Sequence, residues 1–237
     1  MRGKTLLVLA GLLGAGLVGY RYLPPHLNPL APLALDDPPG WLTSFKLRSL
    51  TADQCASLLA QANRRRLIAS QPVADSEGAC PLRNVVRVAN FGSVQLSSSF
   101  LASCPLALSS ALYVEQQAKP LTRQLMASDL RQIDHLGSFA CRNIYHREQA
   151  RRSEHATADA LDVSGFRLTD GRRISVLQGW RSDRSHPWLA ALLSNSCPYF
   201  GNALGPEYNA AHANHFHFGM RFRTGTSCCI SGAASTG

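Results

Sequence analysis

His155 and Asp162 frame the stretch Arg152-Ser153-Glu154-His155-Ala156-Thr157-Ala158-Asp159-Ala160-Leu161-Asp162-Val163. A second histidine cluster, His212-Ala213-Asn214-His215-Phe216-His217-Phe218-Gly219, follows near the C-terminus. Neutral imidazole nitrogens and a carboxylate oxygen converging on one point form a common catalytic zinc set, which leaves one coordination position for water. His155, Asp162 and one of His215 or His217 can supply these three donors. The other histidine of that pair is then available as a base, or to stabilise developing charge. Such a set supports amide hydrolysis, with a polarised carbonyl and a water whose proton the metal makes labile. The rival reading is of core or surface histidines with no metal, because the chain contains eight of them.

The elements that must position these residues can be read in part. Alternation in His215-Phe216-His217-Phe218 puts both histidines on one face of a strand and both phenylalanines on the other. Residues 85–91, 130–136 and 215–222 read as strands, the last as the final one. Asp170-Gly171 between the apolar runs 166–168 and 173–176 signals a hairpin. Thr51 is an N-cap for an amphipathic helix over 53–66 that carries Cys55, Leu58, Leu59 and Ala62 on one face. A second helix starts after Cys104-Pro105 and runs through Ala111, Val114 and Ala118, until Pro120 kinks or breaks it before 121–127. Residues 188–193 form a short helix. Helices before and between strands of mixed length predict an α+β fold, with a small antiparallel sheet carrying the site and helices packed on it.

Composition narrows the setting. With 237 residues, 45% hydrophobic and 16% charged, the chain can bury one sizeable core. A net charge of +9 favours an anionic partner, such as a membrane surface or a cell-wall polymer. The basic residues are dispersed apart from Arg64-Arg65-Arg66 and Arg151-Arg152, without interleaved aromatics, so no nucleic-acid partner is expected. Residues 1–21 hold a basic start and an apolar run over 5–20, which reads as an uncleaved membrane anchor with Arg2 and Lys4 inside and Tyr20 and Tyr22 at the interface. A cleaved signal peptide and secretion is the alternative. Residues 22–40 are proline-rich and read as a semi-extended tether, residues 41–230 as the folded domain, and residues 231–237 as a flexible tail. The seven cysteines contain no Cys-x-x-Cys pair, and in an exported chain they read as disulfides, with the spare thiol at Cys228-Cys229.

Several polar residues have plainer readings. Ser153 reads as a support to the ligand residues or an N-cap rather than a nucleophile, because no Gly-x-Ser-x-Gly elbow exists. Glu154 and Asp159 read as solvated loop charges, with support of a ligand histidine as the alternative for Glu154, and Glu207 reads as a turn residue. His135, His146 and His186 match no metal spacing, and Cys141 is a disulfide half.

Ser153-x-His155-x-x-x-x-Ala160-x-Asp162 resembles the Ser-x-His-x-x-Gly-x-Ala-x-Asp motif of the LAS metallopeptidases, a group that includes D-alanyl-D-alanine carboxypeptidases, lysostaphin-type endopeptidases and the hedgehog fold. The resemblance implies a LAS-like architecture, with His155, Asp162 and His217 as zinc ligands and His215 as catalytic partner. His212 resembles a further active-site histidine of the penicillin-insensitive murein endopeptidases. In Gly137-Ser138-Phe139-Ala140-Cys141-Arg142, Arg142 would bind a substrate carboxylate or carbonyl. The chain is more closely similar to the bacterial extensin-like C-terminal domain family, over roughly residues 41–229. Gly-Ser-Phe-Ala-Cys-Arg, Ser-Glu-His, Ala-Leu-Asp-Val, Leu-Gly-Pro-x-Tyr-Asn-Ala-Ala-His and His-Phe-His all match in order, and the cysteines at 55, 80, 104, 141, 197 and one of 228/229 fit that family's pattern. Three positions depart: Ala158 stands where LAS enzymes carry glycine, and Asn214 and Gly219 stand where acidic residues are expected. Together these resemblances imply a zinc peptidase of the D,D-endopeptidase or carboxypeptidase kind. It would be held in the periplasm at the inner membrane and act on peptidoglycan. A non-catalytic cell-wall-binding or scaffolding module that retains the metal site is the alternative.

Overall fold

The computed structural model describes residues 22–144 and 147–221, the positions 5, 11, 14, 16, 19 and 20, and the backbone of 229–230. The apolar run expected to form an anchor and the tail 231–237 lie largely or wholly outside the described residues. Among those described, no helix is long and apolar enough to cross a membrane.

Among the described residues, nine strands form one mixed sheet. In chain order they are β1 (Ala69–Pro72), β2 (Val85–Phe91), β3 (Val94–Ser103), β4 (Leu130–Gly137), β5 (Ala160–Leu168), β6 (Arg173–Ser175), β7 (Asn202–Leu204), β8 (Phe216–Gly219) and β9 (Cys229–Ile230). Their order across the sheet is β1-β2-β3-β4-β5-β8-β7-β9. β5 is the hub. One edge of it pairs with β4, while the other pairs with β8 over Ala160–Val163 and with β6 over Gly165–Arg167. The fold is therefore α+β, but the sheet is neither small nor wholly antiparallel, since β3–β4 and β7–β9 pair in parallel. The parallel β3–β4 pair is possible because a long helical crossover joins the two strands, which a tight hairpin cannot do. The hairpin at Asp170-Gly171 forms between β5 and β6. The strand expected over 215–222 covers only Phe216–Gly219, with His215, Met220 and Arg221 outside it, and it is not the last, because β9 follows; Phe222 lies outside the described residues.

The helices are α1 (Trp41–Arg48), α2 (Ala52–Arg64), α3 (Cys104–Tyr113), α4 (Lys119–Met126), α5 (Val176–Gly179) and α6 (His186–Ser194). Thr51 caps α2 through a reciprocal box with Gln54, and Cys55, Leu58, Leu59 and Ala62 are its buried face. Cys55 is disulfide-bonded to Cys104 at the start of α3, which staples the two helices together. Residues 106–113 of α3 are buried all round, so this helix forms the centre of the core. Proline 120 has no N–H to give to a carbonyl four residues back. The chain accommodates it with a π turn over Val114–Ala118, in which Lys119 N–H reaches Val114 O, and α4 then begins with Pro120 in its first turn.

The proline-rich stretch is not a free tether. Leu33 and Leu35, two apart on an extended chain, are buried in the main core. Burial of this kind stabilises by roughly 1.5–3 kcal/mol for each leucine. Gln116 Nε2, on the π turn, donates to Leu35 O (3.0 Å) and Asp37 O (3.2 Å). The buried Lys46 on α1 donates to Pro25 O (2.8 Å) and pairs with Asp37 (3.1 Å). The leucines decide the outcome here, because prolines only keep the chain extended.

Candidate metal centre

The site is assembled where β5 meets β8. Asp162 and His217 are direct cross-strand partners in the antiparallel register, so their side chains leave the same face of the sheet side by side. Phe216 and Phe218 point the other way and are buried. Phe218 stacks on Phe200 at 4.8 Å between ring centroids. The apolar face of β8 thus anchors the strand that presents His217, with His215 just before it.

His155 arrives from a 3-10 turn, Glu154–Thr157, whose N-cap is Ser153; Ser153 Oγ accepts from His155 N–H at 3.3 Å. The turn ends at Ala158 with φ of 54°, a left-handed conformation that disfavours any side chain with a Cβ. A glycine would fit there without strain, but the alanine is fully buried beside Leu82 and Val85, which offsets part of that cost. On the opposite wall, Gly137, at φ 121°, turns the chain off β4 so that the Ser138 carbonyl accepts from His155 Nδ1–H at 2.8 Å. Further backbone bonds, Ala140 N to His155 O (3.0 Å) and Ser153 N to Arg142 O (3.1 Å), tie residues 138–142 to the histidine turn. The Cys80–Cys141 disulfide fixes the same segment from outside. Cys197 is also disulfide-bonded.

Three donor atoms from His155, Asp162 and His217 lie within 4.8 Å of one another. His155 Nε2 is 3.2 Å from Asp162 Oδ2, and His217 Nδ1 is 2.9 Å from Asp162 Oδ1. Two ligand atoms on a tetrahedral zinc are about 3.3 Å apart when each bond is about 2.0–2.1 Å, so these separations suit a shared ion. Tautomers suit it as well. With Nδ1–H of His155 committed to a carbonyl, Nε2 is its lone-pair atom, and that atom faces a carboxylate. Lone pairs facing one another call for a positive charge between them, which a proton or a metal ion can supply. The residues present fit zinc.

Glu154 completes this wall, and it is not a solvated loop charge: its side chain is only 11% exposed. Oε1 accepts from Arg221 N–H at 2.6 Å, Asn202 Nδ2 donates to both oxygens at 3.1 and 3.3 Å, and Oε2 stands 3.7 Å from His217 Nε2. A carboxylate at Nε2 leaves Nδ1 of His217 as the atom for the ion. Glu154 also occupies the room a side chain at 219 would need, because a Cβ on Gly219 would fall 2.6 Å from Oε1 and 2.7 Å from Asn202 Nδ2.

The electrostatics of the cluster call for positive charge. Burial disfavours an ionised Asp162, yet hydrogen bonds from His155 and His217 hold its carboxyl well below the usual range. Glu154 is lowered for like reasons: burial opposes its charge, and contacts from His217, the Arg221 N–H and Asn202 outweigh that. Burial is also the largest influence on His217 and works against its charge, but hydrogen bonds to Asp162 and Glu154 overcome it and push its pKa up to about 9. His217 therefore carries a proton at neutral pH unless a metal ion takes its place.

His215 and His212 line the same cleft as the cluster, as do Arg142, Arg151, Arg221 and Tyr208; the cleft volume is about 270 Å³. His215 Nε2 is 3.6 Å from Asp162 Oδ1, and its Nδ1 is 2.8 Å from Asn214 Oδ1, so the amide at 214 supplies the acceptor that an acid would have offered. His212 Nδ1 is held by Asn209 Oδ1 at 2.8 Å, and its ring centroid is 5.2 Å from that of His215. Burial lowers the pKa of both; with the neighbouring His217 and His215 adding to it, His212 falls to about 4. Both rings are neutral at pH 7. His135 and His186 lie apart, bound to the Ser98 and Trp180 carbonyls, and His146 lies outside the described residues. Sequence reasoning missed Asn202, Arg221, Tyr208 and the Ser138 carbonyl, and gave support of a ligand only as the second reading of Glu154, the middle residue of Ser-Glu-His.

The family model described as extensin-like protein C-terminus matches residues 53–230. The chain belongs to this family. No curated protein and no solved structure matches it. The extensin-like match takes in every residue of the cluster, from Ser138 to Arg221. It starts inside α2 and so leaves out α1 and the packed proline-rich stretch.

Proposed function

We propose that the chain is an exported, membrane-tethered zinc peptidase of the LAS type that cleaves peptide bonds in peptidoglycan. The observation that carries this reading is the convergence of His155, Asp162 and His217, each with its second ring nitrogen or carboxylate oxygen already turned to its task. Zinc bound by these three residues would polarise the scissile carbonyl and acidify a water. The rest follows from the chain's own groups. His215, neutral and beside Asp162, accepts a proton from the attacking water and returns it to the leaving amine. His212, with Nδ1–H given to Asn209, keeps an unprotonated Nε2 next to that relay. Arg142, pinned by the Cys80–Cys141 bridge and the backbone bonds to the histidine turn, offers a guanidinium fork to a substrate carboxylate. Arg151 and Arg221 add to the same field, which suits the free carboxylates of peptidoglycan stems.

Digestion of purified sacculi with wild type and His217→Ala, followed by separation of the soluble products, tests the proposal. Release of muropeptides that depends on His217 and on zinc is expected. Sacculus binding without release, in a protein that holds zinc, would instead favour the non-catalytic module.

A further inference from the structure

We infer that the face formed by α1 and the proline-rich stretch docks on the bilayer that holds the apolar run, so the domain lies against the membrane instead of swinging from a tether. The inference rests on the tethered part of the proposed function and is independent of the peptidase chemistry.

Chain length supplies the first reason. Pro25 O is bonded to the buried Lys46 Nζ at 2.8 Å, and Asn28 just beyond it is buried. Slack therefore ends at residue 25. The apolar run ends at Tyr20, and the five residues from there to 25 span at most about 18 Å when fully extended. With residues 5–20 in the hydrocarbon, a link this short must also cross the headgroup layer, several ångströms thick on each side. The pinned turn is then at the membrane surface whatever the domain does.

Surface chemistry supplies the second. Seven of the eleven large apolar side chains that are exposed among the described residues lie between positions 20 and 45. On α1, Trp41 (78% exposed) and Phe45 (48%) fall one helical turn apart on the outward stripe, and the exposed Arg48 continues it. The opposite side of the helix, including Leu42 and Leu47, is buried. Leu30 (76% exposed) and Phe45 line one shallow groove, with Leu27 on the turn that Lys46 holds. Aromatic and leucine side chains with a flanking arginine, borne by a helix that lies flat, make the composition that settles at the boundary of headgroups and acyl chains. A chain of net charge +9 is drawn to anionic lipid as well.

The test uses the full chain reconstituted into vesicles of phosphatidylethanolamine and phosphatidylglycerol carrying bromine high on the acyl chains. Trp41 is the reporter, because Trp188 is buried and Trp180 is half-buried against His186 and Phe216. Brominated lipid should quench part of the tryptophan emission. That quenching should vanish in Trp41→Phe and fall severalfold in Phe45→Asp. Both side chains are exposed, and unchanged thermal midpoints would verify that the variants fold. Quenching by aqueous acrylamide but not by brominated lipid, in protein that floats with the vesicles, overturns the docking and leaves the anchor standing. Protection from both quenchers together with a doubled mass in detergent would make the face a contact between copies and also overturn it. A chain that does not float with vesicles at all overturns the anchor and the docking together, while zinc content and sacculus digestion are unaffected.

Discussion

Glu154→Gln removes one charge and almost no volume, and it should weaken zinc binding about 10–100-fold, or about 1.4–2.7 kcal/mol. The size follows from what glutamine can and cannot replace. Glu154 uses one oxygen for the Arg221 N–H at 2.6 Å and turns the other toward His217 Nε2 at 3.7 Å. Glutamine has one carbonyl oxygen. If that oxygen stays with Arg221, the amide NH₂ faces His217 Nε2, and two N–H groups oppose each other. The imidazole escapes by moving its proton to Nδ1, which is the atom aimed at Asp162 and the ion. Zinc must then displace that tautomer as well as lose the carboxylate's support. Competition against a chromophoric chelator measures the change, and pH matters to it. His217 titrates near 9, in part through Glu154, so below pH 9 protons compete with zinc in the wild type more than in the variant. The deficit should be widest at pH 9 and above and narrow toward pH 7. Gly219→Ala should act in the same direction without removing any carboxylate, because its Cβ would fall 2.6 Å from Glu154 Oε1. A wild type that binds zinc, with Glu154→Gln within about twofold of it at pH 9, refutes the reasoning.

The apparent zinc affinity of the wild type should rise about tenfold per pH unit from pH 7 to 9, because the raised pKa of His217 must be overcome before Nδ1 can ligate; isothermal titration showing a plateau by pH 7 would contradict this. In metal-free protein the sign reverses: the protonated His217 stabilises the fold below its ordinary pKa of 6.5, and that stabilisation is lost as pH rises through about 9, which urea melts at the two ends of this window will register. Cys80→Ser with Cys141→Ser opens a loop with a sequence separation of 61, and should cost about 2–5 kcal/mol in urea unfolding while raising KM through the loosened Arg142. Asp37→Ala leaves the buried Lys46 ammonium with only the Pro25 carbonyl and should cost about 3–5 kcal/mol, read by the same melts.

Strong local signals carried the sequence reading furthest. Thr51, the Cys104-Pro105 start, Asp170-Gly171 and the alternation through His215–Phe218 each announce an element through its own chemistry, and each element forms. The misses have physical causes. β3, ten residues long, runs through Ser97-Ser98-Ser99 with no clean alternation, because its middle is exposed. The stretch 22–40 reads as a tether because of its prolines, whereas Leu33 and Leu35 set its fate through burial that only the rest of the fold provides. Strand order could not be read at all. The parallel pairing of β3 with β4 is fixed by a helical crossover, and no residue within either strand marks it.

At the site, the two positions that depart from the expected acids are best understood through charge. Asp162 and Glu154 are both held ionised, and His217 is the buried group between them. Two negative charges match one divalent ion when His217 is neutral. Without the ion, the proton on His217 balances only half of that charge. A further carboxylate at 219 would need the space Glu154 already fills. One at 214 would place negative charge against His215, where the Asn214 amide gives the same acceptor atom without it. An uncharged acceptor leaves His215 with a lowered pKa, neutral and able to take a proton, whereas an aspartate would favour its imidazolium. Asn214 and Gly219 are therefore consistent with a working site whose supporting charge comes from Glu154. Reading the motif one position at a time cannot reveal this, because the replacement carboxylate arrives from another strand's approach loop.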